Sequence, residues 1–192
     1  LDEDEFAKPK KDNTKDAKKY GVVAVASGSG IQQMFREHGA DVVINGGQSM
    51  NPSAEDFIKA FKEANAETIF VFPNNGNVIL AAKQAAKLFQ EAQIEVIETK
   101  TIGQGYAGLT MLDTTSNDTQ QILDDINMGI EGVDTYMISH CVRDAEMDGK
   151  QLHAGDYIGF LDKKILVASP DRKKTAFQTV EGIDFTDHEV CI

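Results

Sequence analysis

The sequence predicts an α/β chain, with a parallel-sheet lobe and flanking helices followed by a smaller α+β lobe. Three observations predict it. From about residue 20 to 113, short apolar runs alternate with small-residue loops and amphipathic stretches, the pattern of β-α-β units joined by right-handed crossovers. The apolar runs are continuous rather than alternating, as strands covered on both faces are. Beyond 113 the runs shorten, and two of them flank only the turn "DKK", which reads as a hairpin.

The elements follow in order. "GVVAVA" (21–26) is the first strand. "IQQMFREHG" places Ile31, Met34 and Phe35 on one helical face and ends at Gly39, a residue suited to a C-terminal cap. "ADVVIN" (40–45) is the second strand. "SAEDFIKAFKEA" (53–64) opens with Ser53 as cap and Asp56 three residues on, a variant of the capping box, with Phe57, Ile58 and Phe61 inward. "ETIFVF" (67–72) is the third strand, "VILAAKQAAKLFQEA" (78–92) the longest helix, and "IEVIET" (94–99) the fourth strand. In the second lobe, 117–132 reads as a capped helix with Ile122, Leu123 and Ile126 inward. Strand-like runs follow at 134–144, 156–161 and 164–169, and a helix starts near Pro170, which the first turn tolerates. The organisation is a charged linker at 1–20, the parallel lobe at 21–113 and the smaller lobe at 114–192.

Composition narrows the partners. The chain carries a net charge of −12 over 192 residues, and its first 20 residues hold six Lys and six acidic residues, so the rest carries the whole excess. An acidic body repels phosphate backbones, which argues against nucleic acid. No apolar run approaches the about 20 residues that a membrane helix needs. Cys141 and Cys191 are too few for a disulfide framework and suit a reducing cytoplasm. His140 beside Cys141, and His188 three before Cys191, lack the second pair that zinc spacing requires. The start at Leu1 and the apolar end read as a piece cut from a longer protein.

Ligands of open parallel sheets sit at the carboxyl ends of the strands, near the point where strand order reverses. Four small-residue loops are expected there, at 27–30, 46–52, 73–77 and 103–108, three of them leading into helices whose first N–H groups can hold an anion. None contains His, Cys, Asp, Glu, Lys or Arg, so acid–base or nucleophilic catalysis has no titratable partner in them. "GSG" at 28–30 matches two glycines of a dinucleotide fingerprint but meets Gln33 at the third, and no G-K-S/T phosphate loop occurs. In the second lobe Arg143 is a candidate bidentate ligand for carboxylate or phosphate; its plainer reading is an Arg143–Asp144 pair pinning a strand end.

"SMNPSAEDFIKAF", "ETIFVFPNNGNVILAAKQAAKL" and "IEVIETKTIGQGYAGL" resemble, in order and spacing, the DegV family of fatty-acid-binding proteins. "VRD", "DG" and "GDYIGFLDKKILV" resemble more narrowly the C-terminal domain of the large, ATP-binding subunit of bacterial fatty acid kinases, a family related to dihydroxyacetone kinase. The resemblance covers residues 21–192 and implies a DegV-like two-lobed fold. In DegV-like carriers a Thr and a Ser hold the acyl carboxylate with help from an Arg. Here Ser49 stands near the Thr, Pro52 and Ser53 match the Pro-Ser, and Asn74, Asn75 and Asn77 replace the hydroxyl-bearing loop. The implied contact residues, for a ligand or a partner, are Ser49, Asn51, Ser53, Asn74, Asn75 and Arg143. The implied function is a non-catalytic domain that docks the fatty-acid-loaded carrier of the DegV family. ATP and magnesium belong to kinase domains upstream, no cofactor belongs to this domain, and the full protein can form a homodimer. The alternatives are a module that itself holds a fatty acid and, third, a free-standing phosphotransferase.

Overall fold

A computed structural model describes residues 17–46 and 51–187. The chain divides into two compact units at Ile130.

The first unit holds a four-stranded parallel sheet in the order β2-β1-β3-β4. β1 spans Lys18–Ala26, β2 Val42–Asn45, β3 Ala66–Phe72 and β4 Gln93–Val96. β1 therefore starts inside the segment read as linker. Alternate side chains of β1 and β3 feed two cores. On one face Tyr20, Val22, Ala24, Phe70 and Phe72 pack with Phe35 of α1 (Ser29–Glu37), Leu109 of α4 (Ile102–Thr110) and Ile122 and Ile126 of α5 (Thr119–Glu131). On the other, Val23, Val25, Ile69 and Val71 pack with Phe57 and Phe61 of α2 (Ala54–Ala64) and Ala82 and Ala85 of α3 (Ile79–Leu88). This two-sided burial is why the strands read as unbroken apolar runs.

Several expectations are corrected. The stretch 103–108 is not a loop but the middle of α4, capped by Thr101, whose hydroxyl accepts from the Gln104 N–H at 3.2 Å. Glycine serves close packing here: a Cβ on Gly108 would crowd Ile130, Phe72 and Ile126. The helix expected to be longest, 78–92, stops at Leu88 because Phe89 turns extended and packs its ring on Phe61 with centroids 5.5 Å apart. α5 is longer, at 13 residues. Because Ile122 and Ile126 fill the first core, the boundary between units lies at Ile130 rather than 113.

One polar device ties β1 to β2. The backbone N–H of Asp41 donates to the Val22 carbonyl at 2.9 Å, and the Val22 N–H donates to the Asp41 carboxylate at 2.8 Å. The other carboxylate oxygen takes Lys18.

The second unit is an antiparallel sheet, β5-β8-β9, with β5 at Tyr136–His140, β8 at Tyr157–Leu161 and β9 at Lys164–Ser169. The expected β8–β9 hairpin is present. The run 134–144 is strand only to His140; it is followed by a hairpin of β6 (Ala145–Met147) and β7 (Lys150–Leu152). That hairpin turns on Asp148 (φ 52°) and Gly149 (φ 70°), the positive pair that a two-residue hairpin loop needs. α6 (Arg172–Glu181) begins after Asp171, whose carboxylate accepts from the Lys173 and Lys174 N–H groups, not at Pro170. It lays buried Thr175 and Thr179 on the sheet, with Thr179 directly over Gly159.

Candidate functional site

The strand order reverses between β1 and β3, so a ligand-binding crevice would open where these two strands end. The helices that leave those strands, α1 and α3, both start without a side-chain cap. At α1, Gly28 has φ 86° and a Cβ there would meet nothing within 4 Å, so this helix start is open. Two carboxamides occupy the strand ends on either side of β1.

Asn74 is the first. It is 6% exposed and sits in the left-handed region at φ 56°, a conformation that Asn tolerates better than most residues. Its Nδ2 donates to the Val25 carbonyl at 3.0 Å, joining β1 to the exit of β3. Its backbone N–H donates at 3.0 Å to the hydroxyl of Thr99, itself fully buried. Its Oδ1 is buried without a hydrogen-bond donor and lies against the bare Cα of Gly105. Asn74 thus fills the gap between β1, the exit of β4 and α4. Gln32 is the second: its Nε2 donates to the Ala26 carbonyl at 3.1 Å and to Asn45 Oδ1 at 2.9 Å, joining the exits of β1 and β2. Sequence reasoning missed Gln32 and Thr99. Gln32 carried a readable signal, since it lies one helical turn past Gly28 and so beside the end of β1.

The remaining candidates scatter. Ser49 lies outside the described residues, as do Met50, His188 and Cys191. Asn51 is exposed. Ser53 is occupied as a cap: its hydroxyl donates to the Asp56 carboxylate at 2.7 Å and accepts from the Asp56 N–H at 3.3 Å. Asn75 is half-buried and its Oδ1 accepts from the Asn77 N–H at 2.9 Å. Arg143 is in the second unit, exposed, and its guanidinium has no ion-pair partner among the described residues. The Arg143–Asp144 pair is absent, because Asp144 accepts instead from the Ala154 N–H at 2.8 Å and lies 4.0 Å from His153. Of the six candidates, the structure brings Asn74 and Asn75 together at the exit of β3, with Ser53 and Asn51 after β2.

Titratable groups are sparse here. Glu98 and Lys100 follow β4, and Glu98 is ion-paired with Lys83, which holds its carboxyl below the usual range. Ser53 holds Asp56 low by backbone and side-chain hydrogen bonds, and Thr115 does the same for Asp113. All three shifts move away from neutrality, opposite to what a general acid or base at pH 7 requires. Among the described residues, no three His, Cys, Asp or Glu side chains group closely enough to hold a metal, and no helix is long and apolar enough to cross a membrane. What the rim can do is hydrogen-bond and pack.

Residues 21–192 match the FakA-like C-terminal family, which is described as a C-terminal region of fatty acid kinase subunits. The chain is 39% identical over 187 residues to protein YloV of Bacillus subtilis (strain 168), covering 96% of this chain and 33% of that protein. It is 34% identical over 166 residues to the uncharacterized protein SSP1546 of Staphylococcus saprophyticus, covering 84% and 28%. A third relative, an uncharacterized protein of Staphylococcus aureus (strain USA300), is 30% identical over 191 residues, covering 98% and 33%. The chain spans about a third of the length of these curated relatives.

Proposed function

This chain belongs to the FakA-like C-terminal family of fatty acid kinase subunits, and we propose that it is a non-catalytic docking domain for the fatty-acid-loaded carrier of the DegV family. In this reading the cytoplasmic kinase supplies ATP, magnesium and phosphoryl transfer from the parts of the longer relatives that this chain does not cover. The acyl carboxylate on the carrier becomes an acyl phosphate there. The observation that supports the reading is the buried Asn74 carboxamide: the place where a carrier would admit a ligand between β1 and β3 is taken by the chain's own side chain. The lowered carboxylates favour the same conclusion, since no described group near the rim is poised to move a proton near neutrality. Ser49, Asn51, Ser53, Asn75 and Arg143 then serve as a polar surface for a partner or as cap residues.

Titration calorimetry of this chain against the acyl-loaded carrier tests the proposal, with the intact kinase as the positive comparison. Heat from both is expected; binding by the intact kinase with none by this chain refutes it. Native mass spectrometry separates the fatty-acid-holding alternative, because an acyl chain that co-purifies with these 192 residues would make the domain itself a carrier.

A further inference from the structure

The sequence contains two Asn-Gly dipeptides, Asn45-Gly46 and Asn75-Gly76, both at the rim of the parallel sheet. We propose that Asn75 is a site of spontaneous deamidation through a succinimide, and that the fold protects Asn45 from the same reaction.

The reaction needs the backbone nitrogen of the following residue to lose its proton and attack the side-chain Cγ. A C–N bond forms, the carboxamide leaves as ammonia, and water then opens the five-membered imide at either carbonyl. The products are Asp or isoaspartate, and the balance is one water consumed for one ammonia released. Glycine favours it because no Cβ obstructs the backbone rotation that brings nitrogen onto Cγ.

At Asn75 the requirements are met. Gly76 is exposed, a Cβ there would meet nothing within 4 Å, and its N–H has no acceptor among the described residues. The Asn77 N–H donates to Asn75 Oδ1 at 2.9 Å, so a donor already faces the oxygen on which negative charge develops as the nitrogen adds. The product is also tolerated, because a carboxylate at 75 lies just ahead of the uncapped start of α3, where negative charge is favourable.

At Asn45 the oxygen is equally well placed, since Gln32 Nε2 donates to it at 2.9 Å. The nucleophile is what differs. The Gly46 N–H donates to the Ala26 carbonyl at 3.2 Å, and the Gly46 Cα is wedged so that a Cβ would lie 2.7 Å from Pro52 and 3.0 Å from Val25. Asn45 is itself paired with Ala26 in the sheet. Swinging this nitrogen onto Cγ would break the end of the β1–β2 ladder.

Deamidation at 75 replaces a group that both donates and accepts with one that only accepts. It places a new negative charge beside Asn74, on the rim proposed to face a partner, and so gives that surface an age-dependent charge.

The test incubates the full chain at mildly alkaline pH, native in one arm and unfolded in urea in the other, with peptide mapping by electron-based fragmentation to separate Asp from isoaspartate. In urea both positions are expected to convert at similar rates. In the native arm position 75 is expected to convert and position 45 to lag by at least about tenfold, a factor equivalent to about 1.4 kcal/mol of barrier. A Gly76→Ala variant, which the open space accommodates, is expected to slow conversion at 75 while leaving the circular dichroism unchanged. Equal native rates at both positions, no product at 75 while the urea arm converts, or an unaffected rate in Gly76→Ala would each overturn the proposal.

Discussion

Gly105→Ala is the sharpest test of the packing that fills the sheet rim. The added Cβ would lie 2.5 Å from Cγ of Asn74, 2.8 Å from its Nδ2 and closer still to Oδ1. Asn74 cannot swing away freely, because its amide holds the Val25 carbonyl and its backbone holds Thr99. Overpacking of this kind costs about 1–3 kcal/mol. Displacing the carboxamide from Val25 leaves buried groups unmatched, at about 1–3 kcal/mol more. Replacing a mid-helix Gly by Ala returns about 1 kcal/mol. The balance is a net loss of roughly 3 kcal/mol, which for a chain of this length lowers Tm by about 6–12 °C. The assay is thermal and urea unfolding followed by circular dichroism, run as a double-mutant cycle with Asn74→Gly. Glycine accepts the positive φ at 74 and removes the colliding atoms, so the cost of Gly105→Ala is expected to fall by about 0.5–3 kcal/mol in that background. A Gly105→Ala protein as stable as the parent, or the same cost with and without the Asn74 side chain, refutes the reasoning.

Three further outcomes are expected. Ser53→Ala removes a capping box and is expected to cost about 1 kcal/mol at neutral pH by urea unfolding. Because Ser53 lowers the Asp56 pKa, the ionised carboxylate adds stability above its ordinary value of 3.8, and that stability is lost as pH falls through the lowered native value. The Ser53→Ala penalty should therefore shrink in acid, and a penalty that grows there refutes the assignment. Lys83→Ala should leave the urea midpoint nearly unchanged, since exposed pairs contribute little, yet raise the Glu98 titration toward the ordinary range by NMR; an unmoved titration would show that Lys83 does not set it. Gly159→Ala should destabilise the second unit, because its Cβ would lie 2.9 Å from Val167 and overlap Thr179, and Thr179→Ala should restore much of the loss in thermal melts.

The local signals in the sequence proved the most legible. Ser53 and Asp56 form the box their spacing suggests, and "DKK" sits at the tip of the β8–β9 hairpin. What misled was glycine. Gly103, Gly105 and Gly108 made α4 resemble a loop, although Thr101 and Gln104 carry the spacing of a helix start; Gly105 and Gly108 admit Asn74, Phe72 and Ile126 rather than bend the chain. The β6–β7 hairpin escaped because strands of three residues give too little alternation to read, leaving Asp148-Gly149 as its sole cue. At the candidate site, the position of Asn74 was readable but its engagement was not. Its partners Val25 and Thr99 lie 49 and 25 residues away in sequence, and only the assembled sheet shows that they meet.

The reciprocal bonds between Asp41 and Val22 bear on how the sheet finds its alignment. A run such as "GVVAVA", buried on both sides, would pack almost as well if β2 slid along it by two positions, because the inward and outward sets would keep their faces. Such a slide would leave the Val22 amide facing hydrocarbon and the Asp41 carboxylate without its backbone donor. One acidic residue at the mouth of an edge strand thereby acts as an alignment pin, rejecting near-degenerate pairings that greasy side chains alone could not tell apart.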